Sequence, residues 1–120
     1  ALAEGIASTR IELAMDEAAR DLGPRAAHAL LRCVQEGVTN SVRHAGARRV
    51  AVELRGEGDE VAVSIDDDGR GAPGWQPGRA ERFGNGLTGM TERMTELGGR
   101  MQVTRTSPGF RIELRCPRWV

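Results

Sequence analysis

From Pro24 to about Ala45 the apolar residues Ala27, Leu30, Leu31, Val34, Val38 and Val42 recur at helical spacing, the longest periodic run in the chain. At about 100° per residue they form one stripe, with Arg32, Glu36, Asn40 and Arg43 nearly opposite. A helix of that length with a single apolar face needs a second layer to cover it. The flanking segments supply strands. Arg10 to Met15, Arg49 to Arg55, Glu60 to Asp66, Arg100 to Arg105 and Phe110 to Arg115 alternate polar and apolar residues, the period of half-buried strands. Gly56-Glu57-Gly58-Asp59 and Ser107-Pro108-Gly109 read as turns within two of the strand pairs. Leu87, Met90, Met94 and Leu97 space a second helix that Gly98-Gly99 stops. Pro24 suits a first helical turn and Gly46 a helix end. Ala72 to Phe83 has Gly/Pro breaks and no period, so it reads as a mobile loop. The expected fold is α+β: a two-layer α/β sandwich whose mixed, mostly antiparallel sheet carries its helices on one face.

The sequence has 120 residues, enough for one domain and one core. It holds 17 basic and 17 acidic residues, a balance that gives no electrostatic reason to expect a nucleic-acid or acidic-membrane partner. Every basic residue is arginine, so a P-loop lysine is excluded. Cys33 and Cys116 stand far apart without metal-ligand spacing, which argues against structural zinc and fits buried thiols in a reducing cytoplasm. No apolar run is long enough for a membrane span and no signal peptide is visible. Beginning at Ala1-Leu2-Ala3-Glu4 without an initiator Met, residues 1–120 read as a single domain excised from a longer chain.

Three groups of residues carry chemistry. Glu36 and Asn40 lie one helical turn apart, on the side away from the apolar stripe. An Asn amide oxygen is a neutral hard ligand suited to a Mg²⁺ whose other ligands are phosphates and waters. A carboxylate one turn away can orient a nucleophile or accept its proton. Taken alone, the pair also suits a solvated helix face. Asp66-Asp67-Asp68-Gly69-Arg70-Gly71 ends an apolar strand. Three adjacent carboxylates need a cation, solvent or a neutral donor, and one at a strand end can accept from the exocyclic amine of adenine. Gly69 and Gly71 let the backbone approach a flat base; an acidic turn is the plainer reading. Gly84-Asn85-Gly86-Leu87-Thr88-Gly89 matches a dinucleotide-binding spacing but follows no strand. What survives is a hinge running into a helix N-terminus, where backbone N–H groups attract anions and the Thr88 hydroxyl adds a donor. Together the three groups describe an ATP site. His44 at the end of the first helix fits either capping or phosphate contact. Trp75 fits packing or covering a base, Arg93 a phosphate or an ion pair with Glu92 or Glu96, and His28 a partly exposed helix surface.

These residues resemble the catalytic, ATP-binding domain of bacterial sensor histidine kinases, of the Bergerat-fold superfamily shared with gyrase and mismatch-repair ATPases. The resemblance runs from about Pro24 to Pro117. Gln35 to Ala45 is similar to the family's N box, Asp67 to Gly71 to its G1 box, and Gly84 to Leu87 to its G2 box. Arg43-His44-Ala45-Gly46-Ala47 and Gly86 to Arg93 resemble the nitrate-sensor-like subfamily, which has short lids and no separate F box. The resemblance implies that Asp67 reads adenine, Gly69 and Gly71 shape the base pocket, and Asn40 holds Mg²⁺. It further implies that Glu36 orients the chemistry with His44 as helper, while Gly84, Gly86, Leu87 and Thr88 close the lid over ATP.

Two features depart from the family. Gly109 is followed by Phe110 where a Gly-Thr pair is usual, so adenine would rest against a more apolar surface or bind more weakly. No phosphoacceptor histidine is present. The implied partners are therefore a dimerisation and phosphoacceptor domain of the same kinase and, downstream, a response regulator. The isolated domain is expected to be a monomer and the full protein a homodimer. Two rival readings stand beside this one: a serine kinase of the same fold acting on an anti-sigma partner, and a degenerate module that binds partners with little nucleotide affinity.

Overall fold

The computed structural model describes residues 9–43, 46–69, 86–105 and 109–120. The strands are β1 (Arg10–Met15), β2 (Arg49–Glu57), β3 (Glu60–Asp67), β4 (Arg100–Arg105) and β5 (Phe110–Pro117), and the helices α1 (Pro24–Arg43) and α2 (Gly86–Glu96). They build one five-stranded sheet in the order β1-β2-β3-β5-β4. Among the described residues only the β1–β2 pair is parallel; the other three are antiparallel. The mixed, mostly antiparallel sheet expected from the alternation is therefore present, and both helices pack on one face of it.

Strand register explains the two faces. Val50, Val52 and Leu54 pair with Asp67, Ile65 and Val63, which pair in turn with Phe110, Ile112 and Leu114. This row points at the helices and forms the core with Leu30, Leu87, Met90 and Met94. The opposite row presents Glu53, Arg55, Glu57, Arg111, Glu113 and Arg115, joined by ion pairs such as Arg55–Glu53 at 2.9 Å and Arg111–Asp66 at 3.5 Å. Beneath those long side chains Ala62 and Ser64 of β3 are buried, at 0% and 3% exposure. Aliphatic stems of arginine can cover such small residues while their heads stay in water.

β1 and β4 keep their expected bounds, whereas β2, β3 and β5 run one or two residues further, to Glu57, Asp67 and Pro117, because the ladder pairing continues there. A one-turn 3₁₀ helix, Glu17–Arg20, also went unforeseen; Asp16 caps it by accepting from the Ala19 amide at 2.8 Å. Pro24 does open α1, and Gly46, at φ 61°, takes up a left-handed conformation after it. The chain end is tied back to the fold. Arg118, 8% exposed, donates to the carbonyls of Gly58 and Ala18, and the Val120 carbonyl accepts from the first-turn amides of Arg25 and Ala26.

The buried face of α1 is not the stripe of large residues. Ala26, Ala29, Leu30, Cys33, Gly37, Asn40 and Ser41 face inward, whereas Leu31 is 57% exposed and Val34 and Val38 pack only at the margin. Small residues let the helix lie closer to the sheet than a row of Leu and Val would. At Gly37 a Cβ would stand 2.6 Å from Ile65 Cδ1. This rotation overturns the expectation that Asn40 points away from the core: it is 7% exposed.

Burial pushes the Cys33 and Cys116 thiols up to about 11. The chain contains no lysine and no tyrosine, so these thiols are its side chains that titrate between about pH 9 and 11. The folded thiols hold their protons where unfolded ones, at 9.0, release them. Stability should therefore be level from neutrality to about pH 9 and fall between about pH 9 and 11. Urea midpoints at these pH values check this; serine at both positions should flatten the alkaline fall.

Candidate nucleotide site

The acidic triplet at the end of β3 separates into three environments, which answers how adjacent carboxylates coexist. Asp66 points to the outer sheet face toward Arg111; burial raises its pKa and the Arg111 charge opposes that rise. Asp68 accepts from the backbone amides of Arg48 and Arg49 at 2.9 and 3.0 Å, bonds that lower its pKa and pin the start of β2. Asp67 turns inward, 8% exposed. Its Oδ2 accepts from the Ser41 hydroxyl at 2.7 Å, and its Oδ1 accepts from the Gly69 amide at 3.0 Å. A carboxylate has about four acceptor positions, so these two bonds fix its orientation and leave capacity for a ligand donor.

Asp67 shares a small cavity with Gly37, Asn40, Ser41, Leu87, Phe110 and Ile112. Four elements meet there: the C-terminal half of α1, the end of β3, the first turn of α2 and the start of β5. Leu87 is fully buried, and α2 begins at Gly86 with no acidic residue in its first turn; a helix start attracts anions. Thr88 is half-buried in that turn. Asn40 Nδ2 is buried without a hydrogen-bond partner among the described residues. A buried unmet donor is costly unless a ligand or water satisfies it.

The cavity is nearly closed, at about 10 Å³, against about 300–1,000 Å³ for small-molecule sites in general. Phe110 is the largest side chain of its lining and stands on the sheet side. It is 4% exposed and lies directly across from Asp67 in the β3–β5 ladder, where a threonine would occupy less volume.

The structure thus brings Asn40, Asp67, Gly69, Gly86, Leu87 and Thr88 to one end of the groove between the helices. Glu36 is half-buried one turn back along α1. His44, Gly71 and Gly84 lie outside the described residues, as do Trp75 and the segment expected to be a mobile loop. Arg93 forms no ion pair with Glu92 or Glu96; it lines the groove between the helices, with its guanidinium reaching back beside Gly89. Ser41 was not singled out from the sequence. Its signal was a hydroxyl next to Asn40 within a helix: once Asn40 turns inward, Ser41 is buried too and needs an acceptor.

The family described as "Histidine kinase-, DNA gyrase B-, and HSP90-like ATPase" matches residues 26–119. UhpB of Salmonella typhimurium, a signal transduction histidine-protein kinase/phosphatase, is 38% identical over 89 residues, which cover 74% of this chain and 17% of that protein. The sensor histidine kinase YxjM of Bacillus subtilis is 35% identical over 95 residues, 78% of this chain and 22% of that protein. The chain therefore spans only about a fifth of the length of these relatives. Among solved structures, the histidine kinase domain of the Erythrobacter litoralis EL346 kinase superposes with a TM-score of 0.76 at 20% identity, over 92% of this chain and 55% of that one. The ATP binding domain of PrrB from Mycobacterium tuberculosis gives 0.69 at 22% identity, over 92% and 82%. The expected two-layer fold is that of these domains.

Proposed function

The chain belongs to the histidine kinase-, DNA gyrase B- and HSP90-like ATPase family, and we propose that it is the ATP-binding catalytic module of a two-component sensor histidine kinase. The observation that carries the reading is Asp67: a buried carboxylate, oriented by Ser41 and Gly69, with acceptor capacity left toward the cavity. Asp67 would accept from the adenine amine. Gly69 and Gly71 would lie against the base, and Gly84, Gly86, Leu87 and Thr88 would line the phosphate end. Asn40 would hold Mg²⁺ through its amide oxygen, while its Nδ2, buried and unmet among the described residues, would donate to a phosphate oxygen. Magnesium bound there would neutralise phosphate charge. Glu36, with His44 beside it, would orient the attacking group.

In this reading the module presents ATP to a histidine on a separate dimerisation domain, and a response regulator receives the phosphoryl group afterwards. Catalysis is then mostly positioning and charge stabilisation. The work takes place in the cytoplasm. No helix among the described residues is long and apolar enough to cross a membrane.

The test uses γ-labelled ATP. The chain alone should bind nucleotide with negligible turnover and should label a separately supplied, histidine-bearing dimerisation domain of its kinase. Rapid hydrolysis by the chain alone would count against the assignment. A second reading, a partner-binding module with weak nucleotide affinity, is favoured by one feature: the cavity of about 10 Å³ that Phe110 lines. Phe110→Thr separates the two. On the kinase reading the wild-type chain already binds Mg-ADP and the added room leaves binding intact or tightens it; on the second reading the wild type binds only weakly and the variant gains affinity.

A further inference from the structure

We propose that the cleft between the start of α1 and the end of α2 is a docking groove for an acidic segment of a protein partner, distinct from the nucleotide end of the same helix pair. The cleft holds about 380 Å³, with Pro24, Ala29 and Leu97 as its apolar lining and Arg25, His28 and Arg93 as its basic one; Glu96 is the single acidic residue among the described ones that line it. His28 and Asn40 lie twelve positions apart on α1, about 18 Å along the helix. A ligand here leaves the Asp67 cavity free.

Charge placement is the first argument. The first turn of α1 contains no acidic residue, yet Arg25 and His28 sit at that end, where the helix dipole opposes cations. Sequence choices that contradict local preference concentrate at functional sites. The first-turn amides of Arg25 and Ala26 are already taken by the Val120 carbonyl, at 2.9 and 3.1 Å. Recognition of an anion therefore falls to the side chains. Pairing is the second argument. The arginines of the outer sheet face, Arg55, Arg100, Arg111 and Arg115, each meet a carboxylate. Arg25 and Arg93 have no ion pair among the described residues, although Glu96 lines the same cleft. An open pair of guanidiniums in a chain of zero net charge is a local excess that a carboxylate-bearing partner complements.

The shape selects the class of partner. Arg25, His28 and Glu96 are exposed, so the cleft is a surface groove with little enclosure for a small molecule. Its apolar lining takes one aliphatic side chain, and its basic lining takes carboxylates on either side. A segment with a leucine or isoleucine between aspartates or glutamates meets both requirements.

The test is an amide-shift titration of the 120-residue chain with a capped peptide of one leucine flanked by glutamates. The same peptide with lysines, inorganic phosphate and ADP serve as comparisons. The acidic peptide should shift Arg25, His28, Ala29, Arg93 and Leu97 saturably, in about the millimolar range, and leave Ser41 and Gly69 unmoved. Arg25→Glu combined with Arg93→Glu should weaken binding about tenfold or more, and Arg93→Gln alone by about two- to fivefold. Arg25→Glu should still bind ADP. The proposal is overturned by equal shifts with the lysine peptide, by phosphate alone reproducing the shifts, by ADP moving the same residues, or by no saturable shift up to about 10 mM peptide.

Discussion

Asp67→Asn is expected to raise the dissociation constant for Mg-ADP by about two orders of magnitude, equivalent to about 3 kcal/mol. The Asp67 carboxylate is acceptor-only, and Ser41 and Gly69 already hold one position on each oxygen. Any further partner in the cavity must therefore be a donor, such as an exocyclic amine. Asparagine keeps the size and one acceptor oxygen, so the Ser41 bond can persist and the fold should stand. It puts an NH₂ group on the other branch, which meets either the Gly69 amide or the ligand donor. Both are donor-to-donor encounters at an 8% exposed site, where an unmade hydrogen bond is not replaced by water. Ser41→Ala frees one oxygen without adding a donor, so its loss should be smaller, about tenfold or less. Calorimetric titration of the three proteins reads both effects. An unchanged dissociation constant in Asp67→Asn would remove this carboxylate from base recognition.

How far the sequence carries this site depends on which physical signal each residue leaves. Asp67, Gly69 and the Gly86-Leu87 helix start lie where strand alternation and helix spacing locate them, because those periods are set by the backbone and survive context. The inward face of α1 was misread because periodicity weighs large apolar residues. Here the helix is seated by Ala26, Ala29, Cys33 and Gly37, whose contribution is their small volume. Asn40 and Ser41 followed that rotation into the cavity, which is why the hydroxyl holding Asp67 left no mark in the pattern. Separate destinations for Asp66, Asp67 and Asp68 were equally illegible, since they depend on Arg111 and on the Arg48 and Arg49 amides, both remote in sequence.

Gly99→Ala is expected to destabilise the fold by about 3 kcal/mol or more, lowering the melting temperature by about 10 °C or more. The neighbouring Gly98→Ala should cost about 1 kcal/mol. As sequence the pair is one helix stop; as structure each glycine answers a different constraint. Gly98 has φ 81° and nothing within 4 Å of where a Cβ would stand. Its amide bonds to Thr95 and that of Gly99 to Met94, at 3.0 and 2.7 Å, the paired closure of a Schellman end. Its requirement is conformational, and alanine meets it at the modest cost of a left-handed residue. For Gly99 the requirement is space: a Cβ would lie 2.1 Å from the Arg115 carbonyl oxygen and 2.8 Å from Cys116 Cβ. Those atoms belong to β5, paired on both sides by β3 and β4, so relief would mean shifting a central strand. Thermal melts of the two variants compare the constraints directly; equal losses would show that backbone conformation alone selects both glycines. The junction also bears on the nucleotide end. It fixes where α2 leaves the sheet, and the far end of that helix carries Leu87 and Thr88, so Gly99→Ala should weaken ADP binding further than Gly98→Ala does.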